Sequence, residues 1–356
     1  MNSTLKLHHL ILRLSAVLVC ALAVSQGIQA STPRLDVISP TRVDAGATNV
    51  TVTLSGTSFA NDDKVFVNNV DASTSIQTQS GTSLTIAIPD NMLASAGVIT
   101  FEVRATDSTI SATRTLVVRN PVKVNAQPSM ITLAASYGNK VAPGSMISLF
   151  GTHLATASGS ASSFPLPTSI NGTQVFLNGE AMSLLYVGDD TGGFGQVNFI
   201  MPDSIAAGTV EVLVLSGDGS TTLGIATIED QAPGVFTLNQ TGSGLPIAIT
   251  TTDGVNYSLV WNQSFQPVPI TVGAAGQETF LTLFGTGWRH RSALSAVTVT
   301  INGVAAEVTY CGSQPDFLGL DQMNVVIPPS LAGTGSVSIV ITIDGKTANS
   351  TTITLQ

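Results

Sequence analysis

The sequence predicts an all-β chain of three antiparallel β-sandwich modules in tandem, on three observations. Apolar and polar residues alternate at period two in short runs, as in Ile99-Thr100-Phe101-Glu102-Val103-Arg104. Turn residues part such runs about every ten residues, with no 3.6-residue periodicity. The same series of elements then recurs three times in one order. A single barrel or β-helix is the alternative, and it leaves three matched copies of unequal spacing unexplained.

Composition agrees. The chain has 356 residues, 43% hydrophobic and only 10% charged, against roughly 25% charged in ordinary soluble domains. That length suits three modules of roughly 100 residues. Residues 1–30 read as an export signal: Lys6 and Arg13 lie ahead of an uncharged apolar run, Leu14 to Val24, and small Ala30 ends the segment. The run is shorter than the roughly 20 apolar residues of a membrane span, so no transmembrane span is expected after cleavage. A retained anchor and lipidation at Cys20 are the alternatives. Export removes two basic residues and takes the charge from 13 − 22 to 11 − 22, or −11. So acidic a surface repels phosphate backbones, and nucleic acid is not an expected partner. Cys311 is then the lone cysteine, and stability has to come from apolar cores.

The first repeated element is a strand ending in a Gly-Thr step: Leu54-Ser55-Gly56-Thr57-Ser58-Phe59, Leu149-Phe150-Gly151-Thr152-His153-Leu154 and Leu283-Phe284-Gly285-Thr286-Gly287-Trp288. The second runs into an Asn-containing turn at Asn68-Asn69, Asn178-Gly179 and Asn302-Gly303, a strong hairpin signal. The third is a proline corner: a weak copy ending at Pro89, then Gly195-Gln196-Val197-Asn198-Phe199-Ile200-Met201-Pro202, then Gly319-Leu320-Asp321-Gln322-Met323-Asn324-Val325-Val326-Ile327-Pro328. The fourth is a return strand, as at 99–104, Val210 to Leu215 and Val337 to Ile343. Phe101, Phe150, Phe176, Tyr186, Phe199 and Phe284 are expected in the core.

Val37-Ile38-Ser39-Pro40, Asp44-Ala45-Gly46, Gly56, Phe59 and the Val65-to-Asn69 strand resemble IPT/TIG modules, a branch of the immunoglobulin-like fold. From Pro143-Gly144-Ser145 onward the chain resembles the uncharacterised C-terminal domain of secreted Solibacter-type bacterial proteins. The motifs that carry this second resemblance are Phe150-Gly151-Thr152, Leu184-Leu185-Tyr186-Val187, Gln196-Val197-Asn198, Ala232-Pro233-Gly234-Val235-Phe236, Asp253-Gly254, Gly285-Thr286-Gly287 and Gly319 to Asn324. The resemblances imply immunoglobulin-like sandwiches and no particular chemistry. Expected boundaries are 1–30 for the signal peptide, 31–120 for an IPT/TIG-like sandwich and 129–232 for a second. A connecting hairpin segment, 233–275, precedes a third sandwich at 276–356.

No catalytic constellation emerges. Gly-x-Ser-x-Gly is absent, Gly345-Lys346-Thr347 lacks the spacing of a phosphate loop, and no loop has calcium-binding spacing; no cofactor or metal is expected. His153 and His290 follow Gly-Thr steps and read as turn residues. Trp288, Arg289 and Arg291 form an aromatic and basic cluster expected at the surface. With Trp261 and the acidic loop bearing Asp189 and Asp190, they are the candidate ligand contacts. Gln196, Asn198, Gln322 and Asn324 are expected to hydrogen-bond loop backbone, and Cys311 to be a small buried residue in a loop. The expectation is therefore a secreted or cell-envelope bacterial protein, not an enzyme, that acts as an adhesion, spacer or assembly module. The alternative is a polysaccharide or small-ligand binder using loops of the second and third sandwiches. Its partner would be an extracellular protein or polysaccharide.

Overall fold

A computed structural model describes residues 32–120, 130–188, 194–273 and 276–356. The predicted export segment, the Asp189-Asp190 pair and the Pro121–Pro128 linker lie outside the described residues. Within them the chain is built of strands joined by turns and short 3-10 segments. No helix among the described residues is long and apolar enough to cross a membrane.

In the first unit, a sheet ordered Arg34–Ser39, Thr51–Thr57, Ser83–Ala87, Ile76–Gln79 faces a second ordered Arg42–Asp44, Arg114–Arg119, Gly97–Arg104, Lys64–Val67, Val70–Asp71. Leu54, Leu84 and Ile86 from one meet Val65, Phe101, Val103 and Leu116 from the other in a dry core. Burying each such side chain stabilises by about 1.5–3 kcal/mol. The alternation read in the sequence sets this packing: Ile99, Phe101 and Val103 point inward and their neighbours outward.

The second unit repeats the plan. Met130–Leu133, Met146–Gly151, Gly195–Ile200, Leu184–Gly188 and Gly159–Ser160 form one sheet; Lys140–Val141, Thr221–Ile228, Gly208–Leu215, Gln174–Leu177 and Glu180–Ala181 form the other. In both units the opening stretch pairs antiparallel in one sheet and then parallel in the other. The third unit is a continuous ten-stranded array folded over its own core. Its strand Val304–Ser313 joins the two layers, because residues 304–306 pair with Val297–Ile301 and residues 307–313 with Asp321–Val326. The hairpin expected at Asp253-Gly254 is present, and its strand Ala248–Thr251 pairs with Phe280–Thr286. The segment expected to connect two sandwiches thus extends the third unit's sheet.

Turn chemistry follows the sequence. Asn178-Gly179 and Asn302-Gly303 both hold two consecutive positive φ angles, and Asn68-Asn69 does the same without glycine. Asp344-Gly345, at the start of the Gly345-Lys346-Thr347 run, is another such turn, joining Gly335–Ile343 to Lys346–Thr347.

The Gly-Thr step has a structural purpose. The residue after Thr turns through positive φ at Ser58, His153 and Gly287, and the next residue, Phe59, Leu154 or Trp288, plugs the end of its sandwich. In the third unit a Cβ on Gly285 would lie 2.1 Å from the Trp288 ring and 2.2 Å from the Gly234 carbonyl. Glycine is required there because ring and neighbouring strand both press on its Cα.

The units are packed together along their sides. Val117 meets Phe176, Leu213 and Leu215 between the first two units, where Arg114 also pairs with Glu180 at 3.0 Å and Arg42 with Glu211. Between the second and third, the Met146 N–H donates to the Thr286 hydroxyl at 2.9 Å, and that hydroxyl donates to the Gly319 carbonyl at 2.7 Å.

Candidate functional site

The Trp288 cluster does not form the surface expected of it. Trp288 is wholly buried, since it occupies the plug position that Phe59 and Leu154 fill in the other units. Its backbone N–H donates to Asp321 at 2.8 Å, and Arg289 Nε donates to the other carboxylate oxygen at 2.8 Å. Arg289 Nη2 also donates to the Leu320 carbonyl, so this guanidinium serves the loop itself. Burial raises the Asp321 pKa against the opposing pull of Arg289 and the backbone donors. His290 meets Asp203 of the second unit at 2.9 Å. Arg291 is half-buried, with an Nε that has no protein partner. Trp261 packs partly against the third core at the base of a turn where it bridges to Pro267.

That turn carries a residue that sequence reasoning missed. Asn262 Oδ1 accepts from the N–H groups of Ser264 and Gln266, at 2.9 and 3.0 Å, and tightens the loop. Phe265 at its tip is held at φ +58 with 68% of its surface exposed. Left-handed backbone is uncommon for a bulky residue, and an exposed ring offers no packing to compensate for it. A second exposed ring, Phe317, sits on a loop closed by Gln314, whose Oε1 accepts from Asp316 and Phe317 N–H groups at 2.7 and 2.9 Å. Pro267 and Pro315 bracket these loops in the sequence, but neither signals an exposed phenylalanine.

Phe265 and Phe317 rim a cleft of about 720 Å³ between the second and third units. Phe236, Ile247 and Phe284 of the third unit supply apolar wall, and Ser148, Gln196 and Asn198 of the second supply hydroxyl and amides. Among the described residues no side chain lining the cleft is charged. Phe150, Phe284 and Tyr186, expected in cores, are half-buried on outer sheet faces, because Leu149, Leu283 and Val187 beside them point inward. Gln196 donates to Asn198 at 2.8 Å and Gln322 to Asn324 at 2.9 Å; the amides bond each other along their strands, not loop backbone.

A second, polar cleft of about 800 Å³ opens at the same junction. Several of its groups are engaged with each other: His290 with Asp203, Ser292 with Asp344, and Lys346 with Glu229, which Lys140 also meets from outside the cleft. The Ser292 hydroxyl donates to the Asp344 carboxylate, and His290 pairs with Asp203, so this serine and histidine do not form a nucleophile–base pair with each other. Among the described residues no group of three or more His, Cys, Asp or Glu could hold a metal ion. Cys311 is buried within a strand, not a loop, and burial pushes its thiol up to about 12.

No family model and no curated protein matches the chain. Among solved structures, it is distantly similar to SGBP-B of the Bacteroides ovatus mixed-linkage glucan utilization locus, in complex with a mixed-linkage heptasaccharide. The TM-score is 0.28 at 14% identity, over 90% of this chain and 66% of that one, just under two thirds of its length. It is also distantly similar to the D00-D0 domain of Intimin, with a TM-score of 0.18 at 13% identity, over 56% of this chain and 100% of that one.

Proposed function

We propose that the protein is a non-enzymatic extracellular or envelope-exposed binding protein whose ligand is a neutral saccharide chain seated between its second and third units. The observation that carries this reading is the cleft itself, lined by described residues of which none is charged in a chain of net charge −9, with exposed Phe265 and Phe317 at its rim and amides in its wall. Sugar rings present apolar C–H faces to aromatic side chains and hydroxyls to amide groups, which donate and accept alike. Sites of this kind, mostly apolar with a few placed polar groups, are the usual form of ligand pockets. Side-by-side packing of the units also favours binding over a spacer role, for which end-to-end linkage gives greater reach. The export reading of residues 1–30 supports the location.

The test is affinity electrophoresis and calorimetry of the full chain with soluble β-glucan, galactomannan and xylan, repeated on Phe265→Ala and Phe317→Ala. Each substitution is expected to weaken binding to the preferred polymer by about tenfold. Melting should be unchanged, because both rings are already exposed. Binding that is unaffected by both substitutions, or absent for every neutral polymer, rejects the assignment.

A further inference from the structure

The outer faces of the second and third units carry the same constellation, residue for residue. In the second, Phe150 lies opposite Gln196, and Ser148 and Tyr186 lie opposite Asn198. In the third, Phe284 lies opposite Gln322, and Thr282 and Tyr310 lie opposite Asn324. Residues directly opposite in a ladder point to the same face, so each unit groups a phenylalanine, a hydroxyl, an amide pair and a tyrosine. A register shift precedes the tyrosine in both, between Leu184 and Tyr186 and between Val308 and Tyr310. Such bulges re-aim the side chain that follows. Each tyrosine then lies over a glycine two residues on: a Cβ on Gly188 would sit 2.8 Å from the Tyr186 hydroxyl, and one on Gly312 would sit 3.0 Å from that of Tyr310.

The first unit shows that the fold does not demand these residues. It has the same bulge, between Ile76 and Thr78, and the same ladder, yet its corresponding positions hold Ser55, Ser83, Thr53, Thr85 and Thr78. Thr78 and Thr85 close that face with a hydroxyl bond at 2.7 Å. The scaffold is therefore stable with no ring and no amide on this face. In the other two units the Gln–Asn bond uses an amide N–H and an amide carbonyl, which leaves the Gln carbonyl and the Asn amino group as the outward polar ends of the pair.

We infer that these two faces are one saccharide subsite present twice, so that the protein grips a neutral polysaccharide along its length at two equivalent places. This rests on the cleft being the ligand site, because Ser148, Gln196 and Asn198 of the first subsite are in its wall and Phe284 of the second adjoins it. The described residues that line the cleft carry no charge, which selects a neutral chain.

The experiment compares Tyr186→Ala, Tyr310→Ala and the double variant with Phe265→Ala. Binding is measured to whichever of soluble β-glucan, galactomannan and xylan binds, to oligosaccharides too short to span both subsites, and to polygalacturonate. Linked subsites multiply affinity, so each tyrosine variant should lose about tenfold on the polymer and the double variant more, while Tyr310→Ala changes short oligosaccharides far less. Tyr310→Phe keeps the ring and should restore binding, which separates ring contact from a folding defect. If Phe265→Ala weakens polymer binding and Tyr310→Ala does not, the cleft stands and the duplicated subsite falls. If every variant binds as the parent does, both fall. Preference for polygalacturonate overturns the neutral-chain assignment.

Discussion

Gly285→Ala is the sharpest test of how the third unit closes. The added methyl would lie 2.2 Å from the Gly234 carbonyl and 2.1 Å from the Trp288 ring, where Cβ contacts under 3.0 Å are essentially never seen. The strand Gly234–Val235, paired antiparallel to residues 285–286, would have to retreat by about 0.8 Å, as would the indole, in an interior with little free volume. Overpacking of this kind costs about 1–3 kcal/mol, and more when backbone is the obstacle. We expect a loss of about 3 kcal/mol. Trp288→Leu, which installs the residue the second unit uses at Leu154, removes only the ring clash, so the double variant should recover about 1 kcal/mol relative to additivity. The chain has two tryptophans, and both belong to the third unit. Fluorescence in a urea titration therefore follows that unit alone, with Trp261 as reporter when Trp288 is replaced. A Gly285→Ala midpoint within about 0.5 kcal/mol of the parent, the range of a bland surface change, would refute the plug.

Other outcomes follow from the same contacts. Asp321→Asn leaves Arg289 without its carboxylate partner and should cost about 3 kcal/mol in the third unit, read by the same titration. The raised pKa of Asp321 means that the folded state holds its proton more tightly than the unfolded chain. This contribution is complete below 3.8 and is lost as pH rises through the folded pKa; Asp321→Asn should flatten the dependence of melting on pH in that window. Cys311, with its thiol at about 12, should resist alkylation in the folded protein and react on unfolding, as peptide mapping would reveal. Asn324→Ala deletes the acceptor of Gln322 and of the Thr282 hydroxyl, and should lower stability by about 1 kcal/mol.

What the sequence made legible is what periodicity and turn chemistry encode. The strands at 97–104 and 335–343, the Asn turns and the hairpin at Asp253 are local signals, and they survive folding because each is satisfied within a few residues. Burial of aromatic residues was less legible. Phe150 and Phe284 sit in apolar runs yet face outward, since their faces are decided by register against Gln196 and Gln322 and not by their own neighbours. Trp288 is illegible for the opposite reason: the basic residues after it suggest surface, while its environment is set by Asp321, distant in sequence. Aligning Phe59, Leu154 and Trp288 after the three Gly-Thr steps would have placed it correctly. The residue type of Phe265 and Phe317 suggests burial; what exposes them is loop closure by the Asn262 and Gln314 side chains, which holds each ring on an outlying loop.

The junction also determines what kind of site the cleft is. Its two walls belong to different sandwiches, and a hinge between them would make the ligand supply the ordering, lowering affinity for a given contact area. Here Thr286 ties Met146 of one unit to Gly319 of the other through two hydrogen bonds made by a single buried hydroxyl. Gly319 also closes against Ile200 and Met146, where a Cβ would have 2.6 and 2.8 Å. On the far side His290 and Asp203 join the same two units. Contacts on both flanks leave little rotation between the walls, so the cleft is formed before the ligand arrives. Thr286→Val keeps the shape and removes the hydroxyl, which leaves the part-buried Met146 N–H and the buried Gly319 carbonyl without their partner. If preformation sets affinity, this variant should weaken polymer binding severalfold while Phe265 and Phe317 remain in place; equal affinity with a lowered melting point would assign the Thr286 relay to stability alone.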